Sequence, residues 1–155
     1  MIKIEEITLA DINDFWKAHI DYLLDDEMIS SKEDISYFSG RRYRGLLEEH
    51  MVREKDKQHM AYFLRDGIRI GAVSYCTFQS EDGKCFILDF WVFPSYRGGG
   101  TGHKCFRAFF EHAKAGGALY YALNCDKESS HRFWLSLGFA GNGVDDYGAQ
   151  LMIKK

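Results

Sequence analysis

Four glycines fall within five positions, Gly98, Gly99, Gly100 and Gly102, directly after Arg97. Glycine reaches positive φ without strain and carries no Cβ. Such a run therefore lets several backbone N–H groups converge on one anion. An apolar stretch, Cys85 to Phe93, leads into the glycines and ends at Pro94, the only proline of the chain. An amphipathic stretch, His103 to Ala115, leads out of them. The change of period predicts strand, tight loop and helix. The helix adds its own unpaired N–H groups and the positive end of its dipole, which completes a phosphate cradle.

Other residues with chemical potential are scattered. Asp89 is the one carboxylate inside the apolar strand. In a regular strand it points to the face opposite Leu88 and Phe90, and a β-bulge would re-aim it. His19 sits on the apolar face of a helix and reads as a core histidine, while His131 reads as solvent-facing. Asp25-Asp26-Glu27 reads as a solvated acidic loop, with attraction of a cation as the sharper alternative. Arg41, Arg42 and Arg44 read as a solvated basic face, with anion recognition as the alternative. The cysteines at 76, 85, 105 and 125 form no CxxC pair and have no metal-ligand rhythm. They are expected to be reduced and mostly buried.

The elements that must position these groups follow from periodicity. Ile2 to Ile7 alternates as a half-buried strand does. Thr8 caps a helix whose Ile12, Phe15, Trp16, His19, Ile20 and Leu23 lie on one face. A second helical region carries Ile35, Phe38, Leu46, Leu47 and Met51, with a break expected near Gly40. Met60–Arg65, Ile68–Phe78 and Lys84–Phe93 are predicted as a meander joined by Asp66-Gly67 and Asp82-Gly83, both two-residue hairpin signals. Gly71 suggests a bulge. Gly116-Gly117 ends the helix after the glycine loop, and Leu119–Asn124 forms a strand parallel to the one before the loop. Asp126 or Ser129 caps a last helix with Phe133, Trp134 and Leu137. The stretch Gly141 to Gly148 reads as turns before a final strand, Ala149 to Lys154.

The 155 residues fit one domain. A net charge of −3 argues against nucleic acid as the main partner. No apolar run reaches the roughly 18 residues of a membrane span, and the acidic, alternating N-terminus is not a signal peptide. These features predict a cytoplasmic protein and leave room for a homodimer.

The order β-α-α-β-β-β-α-β-α-β, with Arg97-x-x-Gly100-x-Gly102, resembles the GNAT superfamily of acyl-CoA-dependent N-acetyltransferases. An aromatic helix ending in Gly-Phe, Phe133 to Phe139, is a second shared feature. The resemblance implies an α/β (α+β) fold, a mixed, mainly antiparallel central sheet flanked by about four helices. Its cofactor cleft lies where strands splay near a β-bulge. It implies acetyl-CoA as co-substrate, with no metal, and direct acetyl transfer to an amine. Phe90, Trp91 and Val92 would pair with the pantetheine arm. Arg97, Gly98, Gly99, Gly100, Thr101 and Gly102 would hold the pyrophosphate. Asn124, Ser129 and Ser130 would face the pantetheine, and Phe133 and Trp134 the thioester end. Trp16, Phe90 and Trp91 would line the acceptor pocket.

The sequence departs from that pattern at the proton donor. Many relatives carry a tyrosine on the last helix, and that position is Trp134 here. The acid is then open among Cys125, Tyr147, Tyr120 and water, and Asp89 is the candidate base. A primary amine of a small molecule is the leading acceptor. A protein N-terminus or lysine is the alternative acceptor, and a catalytically weak acyl-CoA-binding module is the non-enzymatic one.

Overall fold

The computed structural model describes residues 1–155. In chain order the elements are β1 (Ile2–Glu6), α1 (Ile12–Asp25, entered through a 3-10 turn at Leu9–Asp11), α2 (Lys32–Ser39), α3 (Arg41–Val52), β2 (Gln58–Arg65), β3 (Ile68–Thr77), β4 (Lys84–Val92), α4 (Thr101–Ala115), β5 (Tyr120–Asn124), α5 (Glu128–Ser136), β6 (Ala140–Val144) and β7 (Gln150–Lys154). The strands form one sheet in the order β1-β2-β3-β4-β5-β7-β6. All neighbours are antiparallel except β4 and β5, which are joined by the α4 crossover. This is the mixed, mainly antiparallel sheet that the sequence predicts. No helix is long and apolar enough to cross a membrane.

Alternation along the strands feeds two cores. On one face Phe63, Val73, Ile87, Phe106, Phe109 and Phe139 pack under α4 and α5. On the other, Met60, Tyr62, Ala72 and Trp91 pack against Ile12, Phe15 and Trp16 of α1 and Leu47 of α3. α1 is thereby fixed across the C-terminal half of β4.

Asp66 and Gly67, at φ 52° and 77°, close the two-residue hairpin between β2 and β3. Ile70 is the extra residue of a bulge beside Gly71, since Phe63 pairs with Gly71 and Leu64 with Arg69. The second helical region is divided at Gly40, whose extended backbone (ψ 164°) separates α2 from α3. All four cysteines are free and buried.

Three local expectations are corrected. The β3–β4 connection spans residues 78–83, longer than a two-residue turn. The Phe78 N–H bonds Lys84, the Gly83 N–H bonds Phe78, and the Asp82 carboxylate accepts from the Lys84 N–H and the Tyr120 hydroxyl. Residues 140–144, read as turns, form β6. That strand is exposed throughout, and pairing with β7 makes it a strand despite its glycines. α5 starts after Lys127 with no side-chain cap, because Asp126 accepts the Gln150 N–H of the neighbouring strand.

Candidate active site

β4 and β5 pair only over Lys84–Phe86 and Tyr120–Ala122. Beyond that point β5 continues beside β7 while β4 continues beside β3. A cleft opens between them, flanked by backbone of Ile87 to Val92 that β5 does not pair. Leu88 is the extra residue of a β-bulge, because Ser74 pairs with Asp89 and Tyr75 with Ile87. The bulge inverts the parity of the strand. Cys85 and Ile87 face the α4 side, and after the bulge Phe90 and Val92 do. Asp89 and Trp91 turn instead to the α1 side, where Trp91 is buried.

The bulge delivers Asp89 to His19. The His19 Nε2 lies 3.1 Å from Asp89 Oδ2, with side-chain exposures of 1% and 13%. In the neutral ring Nε2 carries the hydrogen, since a carboxylate only accepts. Nδ1 is then a buried acceptor, and it has no partner. Aromatic rings enclose the pair. Tyr43 stacks parallel to His19 at 6.0 Å, Trp91 lies 5.9 Å from it and Tyr22 6.4 Å. Tyr22 in turn stacks on Trp91 at 4.7 Å. His19 is thus a core histidine, as read, but one bonded to the candidate base.

At the mouth of the cleft Gly98, Gly99 and Gly100 all adopt left-handed backbone, at φ 91°, 62° and 77°. A Cβ built on any of them would meet nothing within 4 Å. Thr101 N–H and Oγ1 both donate to the Gly98 carbonyl, and Lys104 N–H donates to Gly100. The amides of Gly98, Gly99, Gly100, Gly102 and His103 donate to no protein acceptor. Five free N–H groups at the start of a 15-residue helix are the kind of donor set that can hold an anion. Gly102 has another reason to be glycine: its Cβ would lie 2.8 Å from the Phe133 ring. Arg97 does not point into the cradle. Its Nε donates to the Val92 carbonyl, and its guanidinium forms a two-pronged bridge to Asp26, 3.0 Å on each prong. From the β5 side, Lys127 Nζ donates to the Asp26 carbonyl.

Four cavities run along this cleft, with volumes of about 350, 250, 360 and 280 Å³. Tyr22 lines every one of them, a residue that sequence reasoning missed. Gly98, Gly100, Thr101, Gly102 and Val92 line the cavity at the glycine loop. Phe90, Ser130 and Phe133 line that one and the next, where Ser129 and Trp134 join. The inner cavity brings together Asp89, Cys125, Asn124, Tyr22 and Trp134. Burial pushes the Cys125 thiol up. The Tyr22 phenol is pushed well above the ordinary tyrosine value, first by burial and then by the charges of Asp89 and Asp26.

The other acid candidates lie elsewhere. Tyr147 is 96% exposed on the β6–β7 turn, and its ring lines none of the cleft cavities. Tyr120 bonds Asp82 at the opposite end of the sheet. Of the arginine cluster, Arg41 pairs with Glu48, and Arg44 donates to the Phe38 and Trp16 carbonyls. The largest cavity of the molecule, about 960 Å³, shares no residue with the cleft and is lined in part by Glu6, His59 and His112.

Known proteins share this fold. A sequence model of the GNAT acetyltransferase family matches residues 16–139. No curated protein sequence matches the chain. Among solved structures, the PaiA N-acetyltransferase of Thermoplasma acidophilum, in complex with coenzyme A, is similar at 19% identity and a TM-score of 0.74. That match covers 100% of this chain and 99% of that one. An acyl-CoA N-acyltransferase from Pseudomonas aeruginosa is similar at 12% identity and a TM-score of 0.69, covering 100% and 99%. N-acetylglutamate synthase from Neisseria gonorrhoeae, complexed with coenzyme A and N-acetyl-glutamate, matches at 17% identity and a TM-score of 0.64, covering 99% of this chain and 35% of that one.

Proposed function

Because the chain belongs to the GNAT acetyltransferase family, we propose that it moves the acetyl group of acetyl-CoA directly to a primary amine of a small molecule. One observation carries the cofactor half of this reading. Three consecutive left-handed glycines leave open space and unpaired amides at the N-terminus of α4, at the mouth of the cleft that opens where β4 and β5 part. A pyrophosphate needs such a cradle, and any Cβ there would fill it. The arm of the cofactor then follows the cleft past Ser130, Phe133 and Trp134 towards Asn124, Phe90 and Asp89.

Transfer forms a C–N bond and breaks the C–S bond of the thioester. The attacking nitrogen must first lose a proton, because an ammonium has no lone pair. Asp89 is the proton acceptor in this reading, oriented by the bond from His19. Unpaired backbone N–H groups of β4 beside the bulge are suited to stabilise charge on the carbonyl oxygen. The sulfur leaves as a thiolate, and Tyr22 is the phenol that shares its cavity with Asp89. Its raised pKa keeps it protonated, so it serves as a hydrogen-bond donor to sulfur. Cys125 lines the same cavity and is the second thiolate-side donor.

Calorimetry with acetyl-CoA, followed by a free-thiol assay over a panel of amines, tests the reading. Binding with turnover on at least one small amine is expected. Absence of acetyl-CoA binding would sink it. Tyr22→Phe is expected to lower kcat at least tenfold with the acetyl-CoA Kd unchanged, while Tyr147→Phe changes neither.

A further inference from the structure

The charges and rings around Asp89 define what kind of amine the inner cavity accepts. One carboxylate oxygen, Oδ2, is held by the His19 Nε2, and Oδ1 has no protein partner. The residue lines the inner cavity together with Tyr22. The rings of Phe90 and Trp134 line that cavity as well. A carboxylate with one oxygen fixed, walled by electron-rich rings, is the arrangement that binds an organic cation.

The surrounding cavities carry the same sign. Asp126 also lines the inner one. On the other side of the Tyr22–Trp91 stack, Asp21 and Asp25 line a cavity of about 250 Å³. Of the two cations at the cleft, Arg97 is paired with the Asp26 carboxylate and Lys127 donates to the Asp26 backbone carbonyl. Both line the outer cavity, Lys127 also lines the inner one and Arg97 also lines the cavity of Asp21 and Asp25, so in each of those two cavities two carboxylates face a single cation. An acceptor bearing its own carboxylate would therefore meet a net like charge in both cavities.

We propose that the acceptor is an alkylamine that enters as a cation and carries no carboxylate, its ammonium seated on Asp89 beside Tyr22. This deepens the acyltransferase reading and rests on it for the identity of the cavity. The seat itself is a binding property and can be measured without any transfer.

Tetramethylammonium is a suitable probe, because it is cationic yet has no proton to lose and no nucleophilic lone pair. Its neutral counterpart of similar size is tert-butanol. Titration of the full chain with each, read by tryptophan fluorescence from Trp91 and its neighbours, is expected to give at least tenfold tighter binding of the cation. Asp89→Asn, with a Tm within a few degrees of the native protein as the check on folding, is expected to bring the two affinities within about twofold. Equal affinities in the native protein would overturn the proposal, as would undiminished cation binding in folded Asp89→Asn. A second comparison needs no variant: n-butylamine against 4-aminobutanoate as acceptors, with kcat/KM at least tenfold higher for the former. A reversed preference would overturn the proposal. Cation selectivity without acetyl-CoA binding would instead defeat the acyltransferase reading and leave the cation seat standing.

Discussion

Gly100→Ala separates the backbone role of the glycine loop from its ligand role, provided it is read beside Gly67→Ala. Both glycines sit at φ 77°, and a Cβ on either would meet nothing within 4 Å. Both variants therefore impose the same left-handed strain on an L-residue, about 1–2 kcal/mol. In a domain of this size that lowers Tm by about 2–8 °C. Gly67 closes the β2–β3 hairpin, whereas Gly100 lines the cavity at the start of α4. Only there does the new methyl stand in the cradle. Calorimetry with acetyl-CoA is then expected to show at least a tenfold rise in Kd for Gly100→Ala, about 1.4 kcal/mol. Gly67→Ala is expected to bind within twofold of the native protein. If the two variants lose equal stability and neither loses affinity, the amides at 98–103 do not hold the pyrophosphate and the cradle argument fails. If Gly67→Ala loses affinity as well, the loss reports general destabilisation.

Three further outcomes follow from the packing and the charges. In Gly71→Ala the Cβ would lie 2.6 Å from the Trp91 carbonyl oxygen and 3.2 Å from the Val92 Cα. Both are backbone atoms that cannot rotate away, so a loss of about 1–3 kcal/mol is expected in urea unfolding; a neutral result would show that the β3 bulge absorbs the methyl. Asp26→Asn removes the anion that holds Arg97, in a bridge that is 42% and 26% exposed on its two sides. Such a bridge contributes about 0.2–1 kcal/mol, so the freed arginine is expected to lower the acetyl-CoA Kd by no more than about fivefold; a higher Kd would show that the bridge persists in the complex. Burial pushes the Glu6 carboxyl up, but hydrogen bonds from His59, Tyr75 and His112 outweigh this and hold it below its ordinary value of 4.5. A depressed folded pKa stabilises above the unfolded value, and the benefit is lost as pH falls through the folded one. The Tm advantage of the native protein over Glu6→Gln is thus expected to be full at pH 6 and to shrink below pH 4.5; an advantage that grows on acidification would refute the assignment.

Much of the architecture is written in short-range pattern. The period of Ile12, Phe15, Trp16, His19 and Leu23 gives α1, and Asp66-Gly67 with Gly98–Gly100 gives a turn and a loop that need left-handed backbone. The cradle is legible for the same reason: its function is backbone conformation, which glycine announces locally. What escapes is decided by distant contacts. β6 carries two glycines and exposes every residue, so it exists only because β7 offers it partners. Leu88 carries no mark of a bulge, since an extra residue in a strand is a property of its register with Ser74 and Tyr75. Tyr22 lies at the edge of the apolar stripe of α1, seven residues after Phe15 and three after His19, and only the docking of that helix across β4 puts its ring against Trp91.

The bulge also resolves the departure at Trp134. Without it Asp89 would turn to the α4 side, on the face opposite Trp91 and α1. With it, Asp89 and Tyr22 sit on one wall, close enough that the charge of Asp89 raises the Tyr22 phenol. In the proposed reaction one proton leaves nitrogen and one hydrogen bond is offered to sulfur. Both events are then served from the α1–β4 wall, and neither needs an acid at position 134. Trp134 is correspondingly built as packing. It is 7% exposed, with Phe90, Phe106 and Phe139 edge-on at 5.3, 5.8 and 5.2 Å. A tyrosine placed there would meet those rings, so Trp134→Tyr is expected not to rescue turnover in Tyr22→Phe. Rescue in the free-thiol assay would return the donor to α5 and remove Tyr22 from the chemistry.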